Sequence, residues 1–192
     1  MCLISLFLLI SVLGGFIYVK AIPVALLTLE TVSKGVIEQK VVESAEKAIG
    51  ECEADLVIRT TDSNGDIVSL EMDSAAVNRL IAGVVENVRS DIERKGSIKV
   101  KVPLGSIFEN RMLHGIGPSV SVRATPYIAA FARIDSSFYD AGINQTLHRV
   151  ILTVTTDVTV VCAEKTVSFS TESIITVSEE IIVGRVPEGI IR

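Results

Sequence analysis

The sequence predicts an α+β fold: a transmembrane helix, then a largely antiparallel β-sheet of about six strands with two amphipathic helices on one face. Three observations carry this. An uncharged, apolar run opens the chain. Two stretches place apolar residues at three- and four-residue steps, the period of a half-buried helix. Later stretches alternate apolar with polar residues or are rich in Val, Ile and Thr, as strands are.

The opening run is CLISLFLLISVLGGFIYV, residues 2–19, with no charged side chain. As a helix it would span about 27 Å, close to the roughly 30 Å of a bilayer core. Twelve of its residues are Leu, Ile, Val or Phe, which favours insertion by about 4 to 7 kcal/mol as an upper bound. Tyr18 and Lys20 end it as an interfacial aromatic and charge. Residues 1–20 are therefore expected to be an anchor and 21–192 a single α+β domain. A cleaved signal peptide is the competing reading, since Val19-Lys20-Ala21 faintly resembles a cleavage site; no lipobox cysteine follows. Lys20 and Lys34 flank the run on its C-terminal side, which by charge alone favours a cytoplasmic domain. The abrupt Met1-Cys2 start suggests a missing basic segment and leaves the membrane side open.

Pro23 marks the junction, a first-turn position that tolerates proline. From Val24 to about Gly50 a helix is expected, with Leu29, Val32, Val36, Ile37, Val41, Ala45 and Ala48 as its apolar stripe and Glu43–Lys47 as a supporting ion pair. Residues 54–61 and 66–72 flank Asp62-Ser63-Asn64-Gly65, a hairpin signal because Asn-Gly accepts positive φ. Asp73 caps a second helix over 74–95, with Val77, Leu80, Ile81, Val84, Val85, Val88 and Ile92 inward and Gly96 as its stop. Residues 97–102 alternate as a strand ended by Pro103. Residues 103–118 hold three glycines and two prolines and read as a long loop. In it Phe108, Met112, Leu113 and Ile116 either cap the sheet or stay exposed to a partner. A strand over 119–134 interrupted at Pro126 follows, then two long strands, 147–161 and 166–184.

Composition excludes some classes. The chain carries 18 basic and 23 acidic residues, net charge −5, with no basic run longer than two residues. That argues against nucleic acid. Mean hydropathy is +0.50, and the excess is concentrated in residues 2–19. Cys2, Cys52 and Cys162 form neither a CxxC pair nor a zinc spacing; pairing of Cys52 with Cys162 stays open beside the reading of two free thiols.

The search for chemistry is thin. No GxSxG, HExxH or phosphate-binding GxxxxGK[ST] occurs, and Gly115-Ile116-Gly117-Pro118 lacks the helix that phosphate binding needs. The two histidines, His114 and His148, fall on different elements. His148 shares parity with Val150, Leu152, Val154, Val158 and Val160, so it should open the buried face of its strand. Its expected role is structural, hydrogen-bonded to Asn144, Gln145 and Thr146. A hydrolase pairing His148 with Asp140 or Asp157 lacks an identifiable nucleophile. No catalytic residue, metal or cofactor is expected.

Residues 102–106 (VPLGS), 115–120 (GIGPSV), 141–150 (AGINQTLHRV) and 183–187 (VGRVP), in that order and spacing, resemble the YunB family of sporulation proteins over about residues 21–192. In and beside these segments, Pro103, Gly105, His114, Gly117, Pro118, Gly142, Asn144, Gln145, Thr146 and His148 are the candidate binding or structural motif. The resemblance implies a protein of an endospore-forming bacterium anchored in a membrane around the forespore and needed for spore formation; the leading reading is a non-enzymatic, single-pass membrane factor with its domain outside the cytoplasm and envelope proteins as partners. The family pattern places a basic segment before the anchor, which this chain lacks. The alternative is a peptidoglycan- or glycan-directed enzyme or binding module of the spore cortex. Against it stand the absence of Trp, the few Tyr and Phe, and the lack of paired carboxylates. A cytoplasmic membrane-attached scaffold, resting on Lys20 and Lys34, is the third reading.

Overall fold

The computed structural model describes residues 2–52, 54–103, 116–117, 119–162 and 165–183, with most side chains of residues 2–23 outside the described set. Among the described residues it is an α+β protein of two helices and six strands in two sheets. The order is α1 (Cys2–Gly50), β1 (Val57–Thr61), β2 (Ile67–Met72), α2 (Ser74–Lys95), β3 (Ile98–Pro103), β4 (Ser119–Gly142), β5 (Gln145–Cys162) and β6 (Lys165–Val183). β1 and β2 form a two-stranded sheet of their own; β3-β4-β5-β6 follow one another in a four-stranded sheet. One sheet of six was expected. The hairpin instead stands alone because its pairing is closed within itself, Val57 opposite Met72 and Arg59 opposite Leu70.

The expected anchor and the helix after it are one element. α1 runs 49 residues and passes through Pro23, so proline does not divide it as the sequence suggested. Among the described residues no helix is long and apolar enough to cross a membrane; the expected anchor, residues 2–19, falls mostly on side chains outside that set. Further along, Leu29, Ser33, Ile37, Val41, Ser44, Ala45 and Ala48 are buried. Val32, expected inward, is 39% exposed, and Ser33 holds the inward place. Glu43 pairs with Lys40 and Gln39, while Lys47 reaches Glu51 at 3.9 Å.

By the density of their contacts the residues group into two units. One comprises Met1–Ile37, Glu93–Tyr127 and Val158–Phe169. Its described core includes Leu29 and Ile37 of α1, Ile98 and Val100 of β3, Ala124 of β4, and Val158 and Val160 of β5. β3 pairs antiparallel with the first residues of β4, Ile98 opposite Ala124 and Pro103 opposite Ser119.

The other unit comprises Glu38–Ile92, Ile128–Asp157 and Ser170–Arg192. Here α2 presents Ala76, Leu80, Val84, Val88 and Ile92, all buried and four residues apart, the spacing that keeps a helix face in register. Its cap is as the sequence predicts: Ala75 N and Ala76 N donate to Asp73 Oδ1 at 2.8 and 3.1 Å, satisfying donors that a helix start leaves open. Gly96, beyond this unit, ends the helix at φ +66° and donates to Glu93 O at 3.0 Å. α1 and α2 meet where Ser44 Oγ donates to Asp91 Oδ2 at 2.8 Å. A Cβ on Gly83 would lie 4.0 Å from Ala48 Cβ, an ordinary van der Waals contact.

The β1–β2 turn differs in detail from the expectation. Only Gly65 takes positive φ, +85°. Asn64 need not, because the loop is held from Asp62, whose carboxylate accepts from Asn64 N at 2.8 Å and Asp66 N at 2.9 Å. Those backbone bonds hold the Asp62 carboxyl below its ordinary pKa.

Candidate functional site

The candidate site lies within the second unit, where β4, β5 and β6 run side by side. On β5, His148, Val150, Leu152, Val154 and Thr156 point the same way and are buried, as strand alternation requires. A buried imidazole must find partners for both nitrogens, and the two neighbouring strands supply them. His148 Nε2 is 2.8 Å from Ser136 Oγ on β4. His148 Nδ1 is 3.2 Å from Glu180 Oε1 on β6. The other carboxylate oxygen, Glu180 Oε2, accepts from Arg59 Nη2 at 2.7 Å and Nε at 3.1 Å, which links β1 to the same chain of bonds. Phe138 stacks on the imidazole, centroids 4.7 Å apart and planes 25° from parallel.

The electrostatics fix the direction of these bonds. Burial acts to raise the Glu180 pKa, but hydrogen bonds from Arg59 and His148, with their charges, outweigh it and hold the carboxyl below its ordinary value. The bond to Glu180, reinforced by Coulomb attraction, raises the Arg59 pKa. Glu180 is therefore ionised near neutrality and only accepts hydrogen bonds. Nδ1 of His148 must then carry a proton. In the neutral ring Nε2 is left with a lone pair, and Ser136 donates its hydroxyl proton to it.

Ser136 is exposed. It lines an open depression of about 270 Å³ with Ile134, Met72 and, from the first turns of α2, Ser74, Val77 and Asn78. The strand's other face carries a separate ladder: Arg149 Nε donates to Glu179 Oε2 at 2.7 Å, and its guanidinium lies 5.5 Å from the Tyr139 ring centroid. A second depression, about 390 Å³, lies between the end of α1 and α2, with Ala48, Cys52, Arg79 and Glu86 in its lining. The Cys52 thiol there is free.

Of the residues singled out from sequence, five come together at the β4–β5 turn. Gly142 (φ +128°) and Asn144 (φ +58°) shape it, Gly142 N donates to Asp140 Oδ1 at 3.0 Å, and Gln145 and Thr146 begin the strand carrying His148. The imidazole nitrogens, expected to bond residues 144–146, are engaged by Ser136 and Glu180, because alternation aims the ring across the sheet rather than back along the chain. Pro103 closes β3, and Gly117 sits at φ +98°. Gly105, His114 and Pro118 lie outside the described residues, as do Phe108, Met112 and Leu113; Ile116 is 58% exposed.

The sequence reading missed Ser136, Glu180 and Arg59. It ended β4 at Ile134, leaving Ser136 off the strand. Extended to Gly142, β4 would have put Ser136 across a tight turn from His148.

Comparison with known proteins points one way. The family model for Sporulation protein YunB matches residues 99–189, which take in β4, β5 and β6 and hence Ser136, His148 and Glu180. Among curated proteins, Sporulation protein YunB of Bacillus subtilis (strain 168) is 22% identical over 144 residues, covering 70% of this chain and 57% of that relative. The chain thus spans little more than half the length of that relative. No solved structure matches.

Proposed function

We propose that the chain, which matches the family model for Sporulation protein YunB over residues 99–189, is a member of that family and a membrane-tethered factor acting at the forespore envelope through protein contacts. The family match over residues 99–189 is the observation that carries this reading. The tether is residues 2–19, uncharged and mostly aliphatic, at the head of α1. A helix of that composition and length matches a bilayer core. The remaining residues hold every charge of the chain and form the part that meets partners, on the extracytoplasmic side. Contacts alone suffice for this role; it requires no cofactor and no nucleic acid.

Fractionation of sporulating cells tests it. The full chain should sediment with membranes and resist carbonate extraction, and a chain beginning at Pro23 should be released and fail to support spore formation. A full chain recovered in the soluble fraction would overturn the tether.

A further inference from the structure

From the geometry around His148 we infer that Ser136 is a nucleophile, activated by His148 and positioned through Glu180, in a site that cleaves esters of small apolar acyl groups. The inference goes beyond the tether-and-contact role and does not rest on it.

Three features set this cluster apart from a histidine merely satisfied in a core. The order is serine, imidazole, carboxylate: Ser136 Oγ to Nε2 at 2.8 Å, Nδ1 to Glu180 Oε1 at 3.2 Å. That is the arrangement in which a base takes a hydroxyl proton while a carboxylate fixes its tautomer and steadies the imidazolium. Burial is graded along the chain of bonds. His148 is 1% exposed, so a positive charge formed on it by proton transfer leans on Glu180 rather than on water, whereas Ser136 stands open to solvent. A purely structural partner would serve as well buried. Finally, Ser136 faces a depression with an apolar wall of Met72, Val77 and Ile134 and two polar side chains, Ser74 and Asn78. The wall suits a short acyl chain; the hydroxyl and carboxamide are donors available to a developing oxyanion.

The chemistry balances with water as the only co-reactant. Ser136 Oγ bonds to the ester carbonyl carbon as its proton passes to His148 Nε2. The bond from that carbon to the alkoxy oxygen breaks, and the Nε2 proton leaves on the alcohol. Water then attacks the acyl-serine, giving a proton to Nε2, which returns it to Oγ as the carboxylic acid departs. Glu180 touches no reacting atom and is a positioning residue.

The test uses the full chain in detergent micelles, with p-nitrophenyl acetate as substrate and an alkyl fluorophosphonate as covalent probe. One adduct is expected, on Ser136, absent in Ser136→Ala and retained in Ser137→Ala. Hydrolysis should fall by roughly a hundredfold or more in Ser136→Ala, measured on protein whose circular dichroism shows that it is folded, since the variant leaves the buried His148 Nε2 without its partner. Glu180→Gln should lower kcat while leaving KM near its original value. The inference is overturned if no adduct forms on Ser136, if wild-type hydrolysis equals that of buffer, or if folded Ser136→Ala keeps its rate. Any of these results leaves the membrane tether untouched.

Discussion

His148 Nδ1 lies 3.2 Å from Glu180 Oε1, and this contact joins a buried ring on β5 to a half-buried carboxylate on β6 that is itself held by Arg59. Acid should therefore weaken the fold through Glu180. Its pKa is lower folded than unfolded, so its stabilising contribution is complete above the ordinary value of 4.5 and is lost as pH falls through the folded value. Thermal melts taken downward from pH 5 should show Tm declining, with a shallower slope in Glu180→Gln. Identical slopes would mean that the carboxylate carries no such linkage.

The two faces of β5 give an internal control. His148→Ala removes a buried ring and leaves its partners short of a hydrogen bond, so it should cost about 2 to 4 kcal/mol of stability. Arg149→Ala deletes a partly exposed ion pair to Glu179 and a contact with Tyr139, and should cost under about 1 kcal/mol. Denaturant titration of the two variants measures the difference; equal losses would contradict the assigned faces.

Val84 sits at the centre of the buried stripe of α2 with no exposed surface. Val84→Asp should unfold the protein, since an unpaired buried charge costs several kcal/mol against a total stability of about 5 to 15. Circular dichroism showing native helix content in this variant would contradict the packing of α2.

α2 was legible in the sequence because local and global signals agree: the Asp73 cap, the four-residue apolar spacing and the Gly96 stop each describe the same helix. The length of β4 was not. Pro126 reads as a strand break, yet β3 begins at Ile98 opposite Ala124, so beyond Ala124 β4 lacks this neighbour, and a proline is tolerated where no ladder bond is needed. Glu180 was hidden for a related reason. Along β6 the buried positions are odd-numbered at Thr171 and Ser173, but by Glu180 the half-buried positions are even-numbered, so no single alternation assigns its face. The Ser136–His148–Glu180 line is spread over three strands and more than forty residues of sequence, and only the pairing of those strands assembles it.

The central claim, a tethered protein working on the outer side of a membrane, is tested most directly by a reporter fused after Arg192. A reporter active only outside the cytoplasm should give signal in sporulating cells, and a reporter active only in the cytoplasm should stay silent. The reverse pattern, cytoplasmic signal alone, would contradict the account and favour a scaffold on the cytoplasmic face.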